Sequence, residues 1–259
     1  MRSSLQKIRI SNMPTQHMKV WRIKNGIMLL DANFSFINTH ASHAVDTGFT
    51  VADFMQLDIS FYLLDTEGAT KAINQEGVIV CGFPSISEAM GHSILAVSKK
   101  ESAIQLLDNC HRVIKSDHFQ LFDECHVRKD GISQEFLSIK LPWYDFDQQI
   151  IGVCGFSIVL GRHAIAAHLA LLGRLKITSD LLIPEVQPIA MQDSLKQLAL
   201  PKREQECLEY TIKGYTAKMI AKELGLSYRT IESYLDNLKT RLGANTRREL
   251  IQMAYQSPQ

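Results

Sequence analysis

Apolar residues recur along this chain at two different periods, and the change of period divides it. From residue 200 onward they fall three to four apart: Cys207, Leu208 and Ile212, then Met219, Ile220 and Leu224, then Ile231, Leu235, Leu238 and Leu242. Such spacing lays each set along one side of an α-helix. Pro201 suits a first helical turn, Thr216 and Ser227 are N-cap residues, and Gly214, Gly225 and Gly243 stand where a left-handed residue ends a helix. The pattern predicts a helix over 201–213, a short one between Thr216 and Gly225, a longer one between Ser227 and Gly243, and a last one over 247–255 capped by Thr246. Opposite the leucine stripe of the third, at about 100° per residue, lie Arg229, Ser233, Asp236 and Thr240, with Glu232 at the margin. A short helix, a glycine turn and a longer helix with a polar outer face is the helix-turn-helix arrangement, whose second helix fits the major groove of DNA.

Upstream the pattern alternates instead. Residues 59–65 read as a strand, Gly68 as a turn and 70–74 as a return strand; short segments follow over 85–91. Residues 100–115 carry Ile104, Leu107, Val113 and Ile114 at helical spacing, after which 119–128, 134–142 and 150–159 read as strands joined by turns at 129–131 and 144–148. Two strands, a helical crossover and a three-strand meander predict a five-stranded antiparallel sheet with helices on one face. The chain is therefore expected to be α+β, with an all-α unit at its end. Residues 162–176 carry Ile165, Leu169, Leu172 and Lys176 along a helical stripe, which suits either a signalling helix between two protomers or a helix packed on its own domain. A flexible tether is expected over 178–198, where Pro184 and Pro188 stand. Residues 1–54 are expected to be an extension, helical near 42–56, that caps the sheet or joins a dimer.

Composition narrows the class without adding a site. A length of 259 residues suggests about two domains, and 46% hydrophobic with 21% charged residues is ordinary for a globular chain. The longest apolar run, 150–160, falls short of the ~18 residues a bilayer needs, and Arg2, Lys7 and Arg9 lie in a start without an apolar signal core, so a cytoplasmic protein with no membrane partner is expected. The five cysteines are scattered with no C-x-x-C pair, which points to free thiols rather than disulfides or a zinc site, and no metal or cofactor is expected. From residue 198 onward 10 Lys and Arg face 7 Asp and Glu, net +3, while the rest of the chain is net −2. That asymmetry favours a polyanionic partner mildly.

Leu200-Pro201, Arg203-Glu204, the run 214–218, Ile220-Ala221, Leu224, Ser227, the run 229–232, Leu235, Asn237, Lys239 and Leu242-Gly243 together resemble the LuxR-type (GerE or NarL-like) four-helix DNA-binding domain. The resemblance implies base-edge contacts at Glu232, Ser233 and Asp236, phosphate contacts near Lys218, Ser227 and Thr230, and a dimer contact on the last helix. With their neighbours Thr216, Arg229 and Lys239 these are the candidate DNA-binding residues. Many family members carry basic residues at the positions of Glu232 and Asp236 and His at that of Tyr234, so the preferred DNA sequence does not transfer. A carboxylate in the groove repels phosphate but accepts from the cytosine N4 amine, which favours specificity over raw affinity.

The segments YLLDTEG, AINQEG, MGHSI, RKDG and GVCGFSIVLG, in that order over about 55–161, resemble a PAS sensor domain. Leu29-Leu30-Asp31 followed by Asn38 echoes the opening of that pattern at Leu63-Leu64-Asp65 and Asn74. The resemblance implies a cavity between sheet and helices for a small-molecule ligand, and dimerisation. The reactive-cysteine signature of flavin-binding PAS domains is missing, which argues against a photoreceptor of that kind. A heme-binding PAS domain carries its axial histidine on the long helix, where Cys110-His111 stands; His111, like His92, His118 and His126, reads equally as a packed or surface residue. No nucleophile is set beside a base in a recognisable motif, so no enzyme is expected.

Together these readings predict an N-terminal extension (1–54), a PAS-like sensor (55–161), a connector (162–197) and a LuxR-type helix-turn-helix (198–256) in a homodimeric bacterial transcription factor. Its expected partner is double-stranded DNA at an inverted repeat, with RNA polymerase as a further one. The alternatives are an interaction adaptor for RNA polymerase or another protein, and a heme-dependent sensor.

Overall fold

The computed structural model describes residues 17–31, 44–163, 165–174 and 200–255. The expected tether over 178–198 and the Asn38 of the repeated signature lie outside them. Strands β1 (Lys19–Ile23), β2 (Gly26–Leu30) and β3 (Val45–Thr50) lead into helix α1 (Val51–Met55), followed by β4 (Ser60–Asp65), β5 (Thr70–Ile73), α2 (Gln75–Cys81), α3 (Ile86–Ala89), a 3-10 turn (Ile94–Ala96), α4 (Lys100–Ser116), β6 (Gln120–Val127), β7 (Ser133–Tyr144), β8 (Ile150–Val159) and α5 (Ile165–Arg174). Four helices close the described chain: α6 (Lys202–Ile212), α7 (Ala217–Leu224), α8 (Tyr228–Leu242) and α9 (Arg247–Tyr255).

The five-stranded antiparallel unit is present, in the order β5-β4-β8-β7-β6, with α2, α3 and α4 between β5 and β6 as a PAS-like sheet requires. Three further strands extend it. Strand β7 is long enough to have two neighbours on one edge: Gln120 to Val127 of β6 pair with its first part as far as Lys140, and β2 pairs in parallel with Trp143 and Tyr144 beyond. That second contact brings Gly26 so close to Pro142 that a Cβ there would stand 2.0 Å from the Pro142 carbonyl oxygen. Of the helix expected near 42–56, the structure has only α1. Val45–Thr50 instead pairs with β1. The boundary is set by Thr50, whose Oγ1 accepts from the Asp53 N–H (3.3 Å) while the Asp53 carboxylate accepts from the Thr50 N–H (2.7 Å), a capping box that cannot close one turn earlier.

Asn74 fixes how the sheet meets its helices. Its side chain is fully buried; Oδ1 accepts from Phe61 N (3.0 Å) and Gly77 N (2.8 Å), capping α2, and Nδ2 donates to the carbonyls of Leu57 (3.1 Å) and Ile59 (2.8 Å). One amide thus satisfies four backbone groups, three of them buried.

Helices cover both faces of the sheet, not one. Alternate residues show it. Phe61, Leu63, Leu137, Ile139, Leu141, Phe156 and Ile158 share a buried cluster with Val51 and Phe54 of α1 and with Ile165, Leu169 and Leu172 of α5, and Phe54, Phe61 and Phe156 pack ring on ring at 5.4 to 5.6 Å. The opposite face, carrying Tyr62, Leu64, Phe122, Glu124, His126, Phe136, Lys140 and Ser157, looks toward α2, α3 and α4. The stripe of the connector helix therefore packs within its own chain. All five cysteines are free thiols. Among the described residues no helix is long and apolar enough to cross a membrane, and no group of His, Cys, Asp or Glu could hold a metal ion.

Candidate functional site

The C-terminal helices build a rigid frame for one exposed face. Thr216 Oγ1 caps α7 by accepting from Met219 N (3.4 Å), Gly225 ends it with φ +63°, and Ser227 Oγ caps α8 by accepting from Thr230 N (3.0 Å). The tight turn between the two helices needs that left-handed residue, which glycine adopts without steric cost. Ile231 and Leu238 of α8 are buried against Cys207, Leu208, Ile212 and Ile220. The far end of α8 is tied down by an ion pair from Arg241 Nε to the buried Glu204 carboxylate of α6 (3.2 Å).

Every candidate DNA-binding residue falls on this frame. Lys218, Ser227, Arg229, Glu232, Ser233 and Asp236 are exposed, and Thr216, Thr230 and Lys239 are half-buried. Arg229, Ser233 and Asp236 line the side of α8 away from Ile231 and Leu238, with Glu232 beside them. Besides the capping bonds of Thr216 and Ser227, Ser233 Oγ donates to the Arg229 carbonyl (3.0 Å), and Lys239 Nζ pairs with Asp236 (3.1 Å). The Glu232 carboxylate beside Tyr228 holds that phenol above its ordinary pKa.

A second site lies on the helix-covered face of the sheet. Between β4 to β8, α4 and the 3-10 turn is a cavity with about 580 Å³ of empty volume, counting the solvent at its mouth. Leu64, Ile73, Phe83, Leu107 and Phe136 make its walls apolar. Into it projects a polar cluster. Lys140 Nζ lies 3.0 Å from Glu124 Oε1 and 3.1 Å from Oε2, both side chains being 3% exposed, and donates to the Tyr62 hydroxyl at 3.1 Å. Asn109 Nδ2 donates to Glu124 Oε1 at 2.8 Å. Burial alone would lower the Lys140 pKa, but the groups around it, of which the Glu124 carboxylate is the one charged near neutrality, carry it well above the ordinary ammonium value. Burial pushes the Cys110 and Tyr62 groups up, so both stay protonated near neutrality. His126 also lines the cavity, 2.6 Å from Ser98 Oγ, with its pKa lowered chiefly by burial. His111 is exposed and does not line the cavity, and His92 and His118 are exposed as well.

Sequence pattern does not single out Lys140, Glu124 and Tyr62. Their signal is indirect: a lysine inside the apolar run 136–143 has nowhere solvated to go once both faces of β7 are covered, and needs an acid on the neighbouring strand.

The sequence profile of the family described as bacterial regulatory proteins, luxR family, matches residues 198–254. Those residues are a luxR-family domain. Two relatives each match about a third of the chain. The transcriptional regulatory protein FixJ of Bradyrhizobium diazoefficiens is 32% identical over 32% of this chain and 44% of its own length, and the transcriptional regulatory protein YdfI of Bacillus subtilis is 34% identical over 34% and 42%. This chain thus spans less than half the length of either. Among solved structures, the VqmA–ligand–DNA complex of Vibrio cholera is 22% identical over 79% of this chain and 84% of that one, with a TM-score of 0.41. A PAS domain from Colwellia psychrerythraea is 15% identical over 44% and 95%, at 0.39. At such scores the PAS-like description rests on the strand order alone.

The luxR-family domain is docked on the sheet face opposite the cavity. Gly161 N–H donates to the Gly214 carbonyl, and the His163 carbonyl lies where a Cβ of Gly214 would be, at 2.4 Å. Helix α9 lies against β6. Arg247 donates to the carbonyls of Thr211 (3.3 Å) and Tyr215, bridging α9 to the turn before α7; burial lowers its pKa while Asp123 and Glu135 of the sheet counteract. In this arrangement the outer face of α8 remains exposed.

Proposed function

We propose that this protein is a transcription factor that reads DNA through α8 and is controlled by a small molecule in the sheet–helix cavity. The observation that carries the reading is the exposed polar face of Arg229, Glu232, Ser233 and Asp236 on a helix whose other side is buried, within a luxR-family domain. On this reading Lys218, Ser227 and Thr230, with Thr216, Arg229 and Lys239, hold phosphates, and Glu232, Ser233 and Asp236 meet base edges. A net charge of +3 over the final segment is small for one module against an excess of non-specific DNA, so two copies acting together, on an inverted repeat, fit the physics of recognition. The working boundaries are 1–54, 55–161, 162–197 and 198–256, and the site of action is the cytoplasm.

The test is a salt series of binding to a DNA library followed by selection. Lys218→Ala should weaken binding to all sequences and flatten the salt slope by about one unit. Glu232→Ala should relax preference at one base pair by about 1 to 3 kcal/mol while total affinity moves less. Binding that shows neither sequence preference nor salt dependence removes the DNA-reading role and leaves a protein-binding adaptor.

A further inference from the structure

We infer that the cavity selects neutral, largely apolar molecules bearing a single hydrogen-bond acceptor, and that Glu124 is the residue that turns anions away; this rests on the reading of the cavity as a ligand site. A buried lysine among apolar walls suggests an anion receptor at first sight. The geometry says otherwise. An ammonium has three N–H donors, and three oxygens already stand within 3.0 to 3.1 Å of Lys140 Nζ: both of Glu124 and that of Tyr62. Glu124 is in turn held by Asn109. The pair is closed and its net charge is zero. An arriving carboxylate or phosphate would have to displace Glu124 into an apolar wall or sit beside it as a second buried negative charge, and either outcome is costly in a medium of low dielectric.

A neutral molecule meets no such obstacle. The Tyr62 oxygen accepts from Lys140, so its own hydrogen is left to donate, and Tyr62 lines the cavity. A carbonyl, amide or ring nitrogen would satisfy that hydrogen. The body of the molecule would lie against Leu64, Ile73, Leu107 and Phe136. Burial of the ligand would also tighten the Lys140–Glu124 attraction by excluding water from its surroundings.

A matched pair of probes tests this on the full chain: benzamide, neutral, and benzoate, anionic and nearly the same shape, with dissociation constants from ligand-observed NMR. Benzamide should bind the unaltered protein at least about tenfold more tightly than benzoate, and Glu124→Gln, which leaves Lys140 uncompensated, should reverse that order. Tyr62→Phe should weaken benzamide several-fold and leave ethylbenzene unchanged, which tests the donor separately should Glu124→Gln not fold. Leu107→Trp, which fills the cavity, should abolish binding of all three. Benzoate binding the unaltered protein as well as benzamide, or an unchanged ratio in Glu124→Gln, overturns the charge selectivity while leaving the cavity a ligand site. If none of the probes binds the unaltered protein or Glu124→Gln, the cavity is not a ligand site at all.

Discussion

Ser227 and Asn74 are both helix caps, and they hold their surroundings in opposite ways. Ser227 Oγ serves Thr230 and nothing outside the turn it opens, whereas Asn74 gathers Leu57, Ile59, Phe61 and Gly77 from a loop, a strand and a helix. The contrast extends to the regions around them. In the luxR-family domain α7 and α8 start and stop on residues they contain or touch in sequence. In the sheet, β2 finds its partner in β7 more than a hundred residues on, and a buried lysine finds its acid on the next strand. Local closure makes a region tolerant of single losses; convergence on a few buried groups makes it brittle.

The largest test of that contrast is Asn74→Leu. It strips partners from four backbone groups, three of them buried, and the expected loss is about 4 kcal/mol, read in urea as a shift of the sheet's unfolding while the helical domain unfolds as before. A loss under about 1 kcal/mol would mean that water or backbone shifts replace the amide. Next in size is acidification. His163 Nδ1 accepts from Val159 N at 3.0 Å, and burial first, then His168 and Arg162, lower its pKa to about 4. Since the unfolded chain binds this proton near pH 6.5 and the folded one resists it, the stability it contributes is complete above that value and is lost as pH falls toward 4. Going from pH 7 to pH 5 should cost about 1 kcal/mol after allowance for solvent screening, and His163→Gln should lose that dependence; an identical pH profile in the variant would assign the effect to other groups. The smallest effect expected is that of Ser227→Ala, about 0.5 to 1 kcal/mol and confined to the helical domain. Hydrogen-exchange protection along α8 should fall while that of β7 stays unchanged, and a loss in both would show that the two regions unfold as one.

The same contrast governs what is legible in the sequence. Thr216, Gly225, Ser227 and Gly243 mark the ends of α7 and α8 to within a residue because the cause of each end lies beside it. The five strands of the PAS-like unit are visible as alternation and as turns such as 129–131. What alternation cannot carry is a sheet covered on both faces: β7 is buried almost throughout its last nine residues, so in and out cease to differ. Asn25-Gly26, set between Arg22-Ile23 and Ile27-Met28, does carry a hairpin signal, but nothing near it names Trp143 and Tyr144 as the edge β2 will join. The candidate DNA contacts are legible because helical spacing alone sorts them onto one face. Lys140 and Glu124 are sixteen residues apart, on strands whose register only the finished meander sets.

The two coverings of β7 have a mechanical consequence. Lys140 faces the cavity, while Ile139 and Leu141 on either side of it belong to the cluster that holds α5 and, through it, the luxR-family domain. A molecule seated against Lys140 and the helix that leaves the sheet are therefore neighbours across one thickness of backbone. The sheet is a single partition: what lies on one side stands one peptide unit from what lies on the other, however long the chain that joins them.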